Sequence, residues 1–153
     1  MLLTGTFKRS VDDKLRLAIP KRFRDGFSGA ESGSTVLFIA PGTDGSLTLY
    51  TEASFTRLAN QLDSLPSTGK EVRAFSRLFF SRAESIDIDK QGRIRIPQGL
   101  AELAEISTGE AMLIGVRDRM EIWNTDRWQV YIQGTEQNYD LLAEKALSKP
   151  AAK

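Results

Sequence analysis

Apolar and polar residues alternate in two stretches of the chain, and each stretch predicts a β-hairpin with one buried face. In residues 86–96, four isoleucines alternate with aspartates and arginines, which is the period-two pattern of strands with one apolar and one charged face. In residues 7–19, a Phe, a Val, a Leu and an Ile take the inward positions, while Lys8 and Arg16 are predicted to face outward. Two short apolar runs, "VLFIA" and "LIGVR", predict buried strands that follow the hairpins.

Longer segments carry apolar residues at helical spacing and predict helices outside the sheet. The first helix is predicted to begin near Thr51 and to end before Pro66. A linker helix follows, and Thr68 with Glu71 predicts a capping box at its start. Another helix is predicted from about Asp126. The apolar stripes are Phe55, Leu58, Ala59, Leu62 and Leu65 in the first helix, Val72, Phe75, Leu78 and Phe79 in the linker helix, and Trp128, Tyr131 and Ile132 in the last.

The whole pattern occurs twice. The phrase "DDKLRLAIP" at residues 12–20 returns as "DKQGRIRIP" at residues 89–97, which aligns Arg16 with Arg93 at an offset of 77 residues (93 minus 16). "VLFIA" then falls on "LIGVR", and "LYTEASF" falls on "IWNTDRW" after a shortening of the second hairpin loop. Three matches in the same order indicate a tandem duplication.

These patterns predict an α+β chain that is mainly β, built from two tandem pseudo-symmetric repeats with flanking helices. A half-sheet leaves its edges and one apolar face uncovered, so two copies about a pseudo-twofold axis are predicted to close into one small barrel. The predicted divisions are a first repeat at 1–66, a linker helix at 67–83, a second repeat at 84–147 and a flexible tail at 148–153.

Composition narrows the possible functions. The chain has 153 residues without a cysteine or a histidine, which excludes disulfides and thiolate sites and removes the usual general base and metal ligand. No apolar run is long enough to cross a bilayer, and the first residues do not read as a secretory signal. We therefore expect a cytosolic protein that is not an enzyme and uses neither a metal nor another cofactor.

The formal net charge is only +1, but the charge is unevenly distributed. Residues 1–27 hold seven Lys and Arg against three Asp, whereas residues 101–145 hold four Lys and Arg against nine Asp and Glu. We therefore expect a polyanion to bind near the N-terminal segment rather than at the late helices.

The repeated phrase allows two interpretations from its residues alone. An Asp four residues before an Arg can form a surface ion pair and fix the turn, which is ordinary hairpin chemistry. Alternatively, each Asp aims its Arg at DNA, whose major groove admits a two-stranded ribbon, while nearby lysines contact phosphates and Arg95 lies on the same face. On this second interpretation the DNA-binding residues are Lys8, Lys14, Arg16, Lys90 and Arg93, and the orienting residues are Asp12 and Asp89.

The doubled phrase, "RAFSRLFFSRAESIDIDKQGR" at residues 73–93 and "IWNTDRW" at residues 122–128 together resemble the MraZ family of bacterial transcriptional regulators. The resemblance covers nearly the whole chain and implies a double-split β-barrel of the AbrB-like, swapped-hairpin group. It also implies ring-shaped homo-oligomers that bind direct repeats of double-stranded DNA upstream of the division and cell-wall gene cluster, including the family's own gene. The implied location is the cytoplasm, in association with the nucleoid and not with a membrane.

One position departs from the family pattern. The family usually has a glycine just before the Arg, as Gly92 stands in the second copy, but the first copy has Leu15. A left-handed backbone costs roughly 1 to 2 kcal/mol for such a residue. The first turn is therefore expected to be either strained or built differently.

Three rival functions remain open. A ring-forming assembly protein without specific DNA binding would use Phe79, Phe80, Trp123 and Trp128 as interface anchors, although core packing is the ordinary role of such residues. An antitoxin with a similar barrel usually carries a long disordered tail, and the tail here is short. An enzyme would need Mg²⁺ at the acidic run in residues 84–89, where the facing arginines favour charge pairing instead.

Overall fold

The computed structural model describes residues 2–27, 36–66 and 68–148, and both repeats follow one order of elements. Each has two strands, a short helix, two further strands and two longer helices. Of the tail predicted at 148–153, all but Ser148 lies outside the described residues. The elements are β1 (Thr6–Val11), β2 (Arg16–Ala18), α1 (Lys21–Phe27), β3 (Val36–Pro41), β4 (Leu47–Thr51), α2 (Glu52–Asp63), α3 (Lys70–Arg82), β5 (Glu84–Asp87), β6 (Arg93–Arg95), α4 (Gln98–Ala104), β7 (Gly109–Val116), β8 (Arg119–Trp123), α5 (Thr125–Glu136) and α6 (Tyr139–Leu147).

The strands interleave the two repeats. A six-stranded antiparallel sheet has the order β1-β7-β8-β4-β3-β5, so each repeat contributes its first strand to the half of the sheet built by the other. At its centre Leu47 lies opposite Ile122, and Leu49 lies opposite Met120. Superposing the repeats places Leu47 on Met120 and Leu49 on Ile122, so each of these two pairs is superposed on the other. A pseudo-twofold axis therefore passes between β4 and β8. Strands β2 and β6 form a separate two-stranded sheet, hereafter the ribbon, and neither sheet is closed on itself.

The main core lies between the ribbon and one face of the six-stranded sheet. Leu17 and Ile94 face each other across the ribbon and are each only 1% exposed. They belong to the same cluster as Leu113 of the large sheet, Phe23 of α1 and Leu100 of α4. Full burial of one such side chain contributes about 1.5 to 3 kcal/mol, so this cluster fixes the ribbon firmly on the sheet.

The long helices cover the opposite face of the six-stranded sheet. In one half Tyr50 and Phe79 are buried under α2 and α3, and in the other Trp123 lies 5.1 Å from Trp128 of α5 between ring centroids. Phe79 and Trp123 are therefore core residues rather than free interface anchors, whereas Phe80 is partly exposed. Within the described residues, no helix is long and apolar enough to cross a membrane.

The start of α2 is as predicted. Thr51 is the N-cap residue, and its hydroxyl oxygen accepts a hydrogen bond of 3.0 Å from the backbone N–H of Ser54. The helix ends at Asp63, so Leu65 lies beyond it and is 44% exposed. The prediction that Leu65 belongs to the buried stripe is therefore wrong.

The predicted start of α3 is also wrong. The N-cap residue is Gly69 and makes no side-chain capping bond, because the helix begins one residue later than a box of Thr68 and Glu71 requires. The apolar stripe of α3 is only partly used, since Phe75 and Leu78 are 46% and 54% exposed. Phe75 and Leu78 therefore form an exposed apolar surface on α3.

Candidate nucleic-acid interface

The first repeated turn is organised by one carboxylate. Oδ1 of Asp12 accepts hydrogen bonds from the backbone N–H groups of Lys14 (2.9 Å) and Arg16 (2.8 Å), and Oδ2 accepts one from Nε of Arg16 (2.8 Å). The backbone N–H of Leu15 also donates to the carbonyl of Asp12 at 3.0 Å. Asp12 therefore closes the turn and holds the guanidinium at the same time, as the first interpretation predicts. A positioned guanidinium is also what the second interpretation requires.

The second turn repeats this arrangement bond for bond. Oδ1 of Asp89 accepts from the backbone N–H groups of Gln91 and Arg93, both at 2.9 Å, and Oδ2 accepts from Nε of Arg93 at 3.0 Å. The N–H of Gly92 donates to the carbonyl of Asp89 at 2.9 Å. Two positioned arginines are therefore presented by the same device.

Hydrogen bonding lowers the pKa of both turn carboxyls below the ordinary value of 3.8. The largest cause for Asp12 is the backbone N–H of Arg16, and for Asp89 it is the backbone N–H of Arg93. The guanidinium of each Arg lowers the pKa further. Both carboxylates are therefore ionised at neutral pH, as a partner of arginine must be.

The ribbon brings the two arginines to one surface. Arg16 lies opposite Arg95, and Ala18 lies opposite Arg93. Paired residues of antiparallel strands point to the same side, and these four alternate with Leu17 and its partner, which point into the core. Arg16 and Arg93 are diagonal neighbours, which places their Cα atoms about 7 to 8 Å apart.

Both turns are bonded to the ribbon, so their lysines stand at its two ends. The carbonyl of Leu15 accepts a 2.9 Å bond from the N–H of Ile96, and the carbonyl of Gly92 accepts one of 2.9 Å from Ile19. The exposed lysines of the turns are Lys14 and Lys90. Within the described residues, the terminal nitrogens of the two Asp-bound guanidiniums have no hydrogen-bond partner, and they remain available to a planar, bidentate acceptor.

Lys8 lies apart from this surface. It stands opposite Met112 on the sheet face that also carries Trp123, whereas the ribbon packs on the other face. The side chain is exposed, as expected, and its nearest acidic partner is Glu110 at 3.9 Å. The structure thus brings Lys14, Arg16, Lys90 and Arg93 together and does not bring Lys8 to them.

The unusual Leu15 adopts the same backbone conformation as its glycine counterpart, with φ of 62° against 79° at Gly92. The first turn is therefore strained and not built differently. A Cβ at Gly92 would lie 2.7 Å from the guanidinium of Arg24, while the equivalent of Arg24 in the other repeat is Ala101, which lines one cleft with Leu15. The small Gly92 therefore lies beside the large Arg24, and the large Leu15 lies beside the small Ala101. The packing of Leu15 on the core offsets its backbone strain.

We expect Gly92→Ala to lower the free energy of unfolding by about 1 to 2 kcal/mol, because alanine is strained at this φ and its Cβ displaces Arg24. The matched control is Gly134→Ala in α5, where a Cβ meets nothing within 4 Å. That change should raise the free energy by about 0.5 to 1 kcal/mol, since alanine is the better helix former. Urea denaturation measures both, and stabilisation by both changes would contradict the strained-turn geometry.

The lowered carboxyl pKa values predict a loss of stability in acid. Because the folded-state pKa of Asp12 and Asp89 lies below the unfolded value of 3.8, their contribution is complete above that value and is lost as the pH falls through the folded pKa. Carboxyl carbon NMR titration with assigned signals should give Asp12 and Asp89 midpoints below 3.8, as for Asp118, and the Asp12 midpoint should disappear in Asp12→Asn. Midpoints at or above 3.8 for these two residues would refute the hydrogen-bond pattern.

An open cleft of about 770 Å³ beside the first turn is a poor site for a polyanion, because its lining is acidic on balance. The carboxylates that line it are Asp13, Glu84, Asp87 and Glu102, and the basic side chains are Lys14 and Arg95. Among the residues that the structure describes, no group of three or more His, Cys, Asp or Glu is arranged to hold a metal ion. The outer face of the ribbon, by contrast, carries Arg16, Arg93 and Arg95.

The fold and the site define a two-repeat protein with a β-ribbon, in which each turn carries one arginine held by an aspartate. The chain belongs to the MraZ family. The family profile, described as "MraZ protein, putative antitoxin-like", matches residues 2–78 and 79–149, which confirms the duplication. The family is one of transcriptional regulators, so the chain is not an enzyme.

Three relatives carry the name "Transcriptional regulator MraZ". The protein from Ligilactobacillus salivarius is 36% identical over 146 residues, covering 95% of this chain and 97% of the relative. The protein from Pediococcus pentosaceus is 40% identical with the same coverage. The protein from Finegoldia magna is 40% identical over 143 residues, covering 94% and 95%.

Proposed function

We propose that this chain is a transcriptional regulator that binds specific double-stranded DNA through the ribbon. Its sites would be direct repeats upstream of the bacterial division and cell-wall gene cluster, including its own gene, and it would act in the cytoplasm on the nucleoid. The observation that carries the proposal is the pair of turns with the same hydrogen bonds, in which Asp12 and Asp89 hold Arg16 and Arg93 on the outer face of the ribbon. The names of the relatives support the regulatory role.

The dimensions of the ribbon support binding in the major groove. Two strands lie about 4.8 Å apart, and the groove is about 12 Å wide. The terminal nitrogens of Arg16 and Arg93 match the O6 and N7 acceptors of guanine, since the guanidinium fork is bidentate. Lys14 and Lys90, at the ends of the ribbon, suit the phosphates on either side. Asp12 and Asp89 reduce the freedom that each arginine loses on binding.

One ribbon offers few contacts, so we propose that several protomers bind together as a ring. Apolar side chains stay exposed on two pseudo-equivalent helices, Phe75 and Leu78 on α3 and Leu141 and Leu142 on α6. A contact between α3 of one protomer and α6 of the next joins two different surfaces, and such head-to-tail contacts generate a closed ring when the rotation allows it. The same exposed helices also favour the alternative function, a ring-forming assembly protein without specific DNA binding.

We also propose that the ribbon and the six-stranded sheet are parts of one double-split barrel. The ribbon is connected to the edge strands β1 and β5 by the two turns. The N–H of Asp12 donates to the carbonyl of Arg16 at 3.0 Å, and the N–H of Asp89 donates to that of Arg93 at 2.9 Å. Each bond closes a hairpin turn, but the two strands that leave the turn belong to different sheets. A barrel split at these two places accounts for both sheets.

Footprinting on the DNA upstream of the chain's own gene tests the function. We expect protection of evenly spaced repeats at about 50 mM salt and much weaker protection at about 200 mM, because binding releases counterions from phosphates. Mass measurement in the same buffer reports the oligomer. An intact ring that protects no repeat would favour the assembly alternative.

A further inference from the structure

The two ends of the ribbon are not equivalent. Superposing the repeats places Arg16 on Arg93, but it places Ala18 on Arg95. Because the strands are antiparallel, Arg95 lies opposite Arg16, and Ala18 lies opposite Arg93. One end of the ribbon therefore carries two guanidiniums, and the other carries one guanidinium and a methyl group.

Arg95 differs from the two Asp-bound arginines in its surroundings. It is exposed, and among residues 2–27, 36–66 and 68–148 it has no hydrogen bond and no ion pair. It lines the same acidic cleft as Asp13 and Asp87, yet it forms an ion pair with neither. An exposed guanidinium without a partner on a basic ribbon is free to reach a ligand that the ribbon binds.

We propose that Arg95 is a specificity-determining residue, and that its contrast with Ala18 fixes the direction in which the ribbon lies on DNA. This inference rests on the proposed function. A ribbon with equal ends would bind its element equally well in two orientations related by the pseudo-twofold axis. A second arginine at one end suits guanine and a methyl at the other suits the C5-methyl of thymine, which should favour one orientation about 10- to 100-fold.

A fixed direction has a consequence for the repeats. Protomers that follow one another around a ring all point the same way, so their ribbons read successive elements in the same direction. The DNA sequence that such an assembly prefers is therefore a set of direct repeats of a non-palindromic element. The Arg95 and Ala18 pair would supply this polarity on the ribbon itself, between two turns that share their hydrogen bonds but differ in their three middle residues.

Directed cleavage measures the orientation. The chain has no cysteine, so Gln91→Cys in the exposed second turn provides one site for an iron–EDTA cleavage reagent. On a duplex with a single repeat, we expect strand cleavage on one flank only. Adding Arg95→Ala should give cleavage on both flanks, and combining Arg95→Ala with Ala18→Arg should move it to the opposite flank. Lys8→Ala, which removes a lysine from the other sheet face, should leave the pattern unchanged.

The outcomes separate the two proposals. Equal cleavage on both flanks by the labelled parent, or a double variant that still cleaves the original flank, would overturn the role of Arg95 while DNA binding stands. A uniform loss of affinity for all sequences in Arg95→Ala, with cleavage still on one flank, would make Arg95 a phosphate contact and would also overturn it. Absence of any specific protection by the parent would overturn the proposed function itself, and this inference with it.

Discussion

Arg16→Ala should reduce the affinity for operator DNA to the affinity for random DNA, a fall of at least about 1,000-fold. Its terminal nitrogens are the ones that Asp12 leaves unoccupied, and the neighbouring Arg95 is held by no carboxylate of the described residues, so it cannot present the same positioned fork. Every protomer of an assembly loses the contact at once, which multiplies the effect. Fluorescence anisotropy with specific and random duplexes measures both affinities.

Three control variants give this result its meaning. Arg16→Lys keeps the charge but not the bidentate fork, and should keep the affinity of the parent for random DNA without restoring specificity for the operator. Lys14→Ala should weaken binding to all sequences and lower the salt slope by about one. Lys8→Ala removes a lysine that is equally basic but lies on the opposite face, and should change neither affinity. An Arg16→Ala protein that unfolds would show instead that the ion pair serves only the turn.

The affinity should rise about 10²- to 10⁴-fold when the probe contains four repeats instead of one. Once one ribbon is bound, the others meet their repeats within the same complex, so later contacts gain an effective concentration without new chemistry. On the proposed function, this gain would allow a chain with a net charge of +1 to bind its operator at physiological salt. Gel-shift titration of one-repeat and four-repeat duplexes measures it.

Leu142→Glu provides the matched variant for the avidity prediction. It places a charge on the exposed apolar surface of α6 and leaves the ribbon untouched. We expect it to break the ring and to bind both duplexes with the affinity of a single repeat. Equal affinity of the unaltered protein for the two duplexes would argue against cooperative binding by several protomers.

Much of the fold could be predicted, because it follows from the spacing of apolar residues along the chain and from the internal repeat. The alternation in residues 86–96 fixes which side chains face the core, and the offset between Arg16 and Arg93 reveals the duplication. The exchange of β1 and β5 between repeats could not be found in this way, because a period-two pattern assigns faces but does not name the partner strand. The structure starts α3 one residue later than predicted, because the N–H of Gly69 donates to the carbonyl of Pro66 and Gly69 becomes the N-cap residue.

In the candidate site, too, the local features were predictable, and the features that depend on distant residues were not. The link from Asp12 to Arg16 spans four residues and was predictable from spacing alone. The alternation of residues predicts only that Lys8 faces outward from the core. In the structure it lies on the face of the large sheet opposite the one that packs on the ribbon. The position of Arg95 opposite Arg16 depends on the register of the ribbon, which joins strands from the two repeats. The space for Leu15 depends on the small side chain of Ala101, which is distant in the chain.

Lysine protection tests the central claim most directly, since a single experiment compares the ribbon with the rest of the surface. The protein is acetylated with and without operator DNA, and each lysine is quantified by mass spectrometry. If the ribbon lies in the major groove, DNA should protect Lys14 and Lys90 strongly and leave Lys8 and Lys70 as reactive as in the free protein. Protection of Lys8 with continued reactivity of Lys14 and Lys90 would place the DNA on the opposite face and contradict the ribbon as the reading surface.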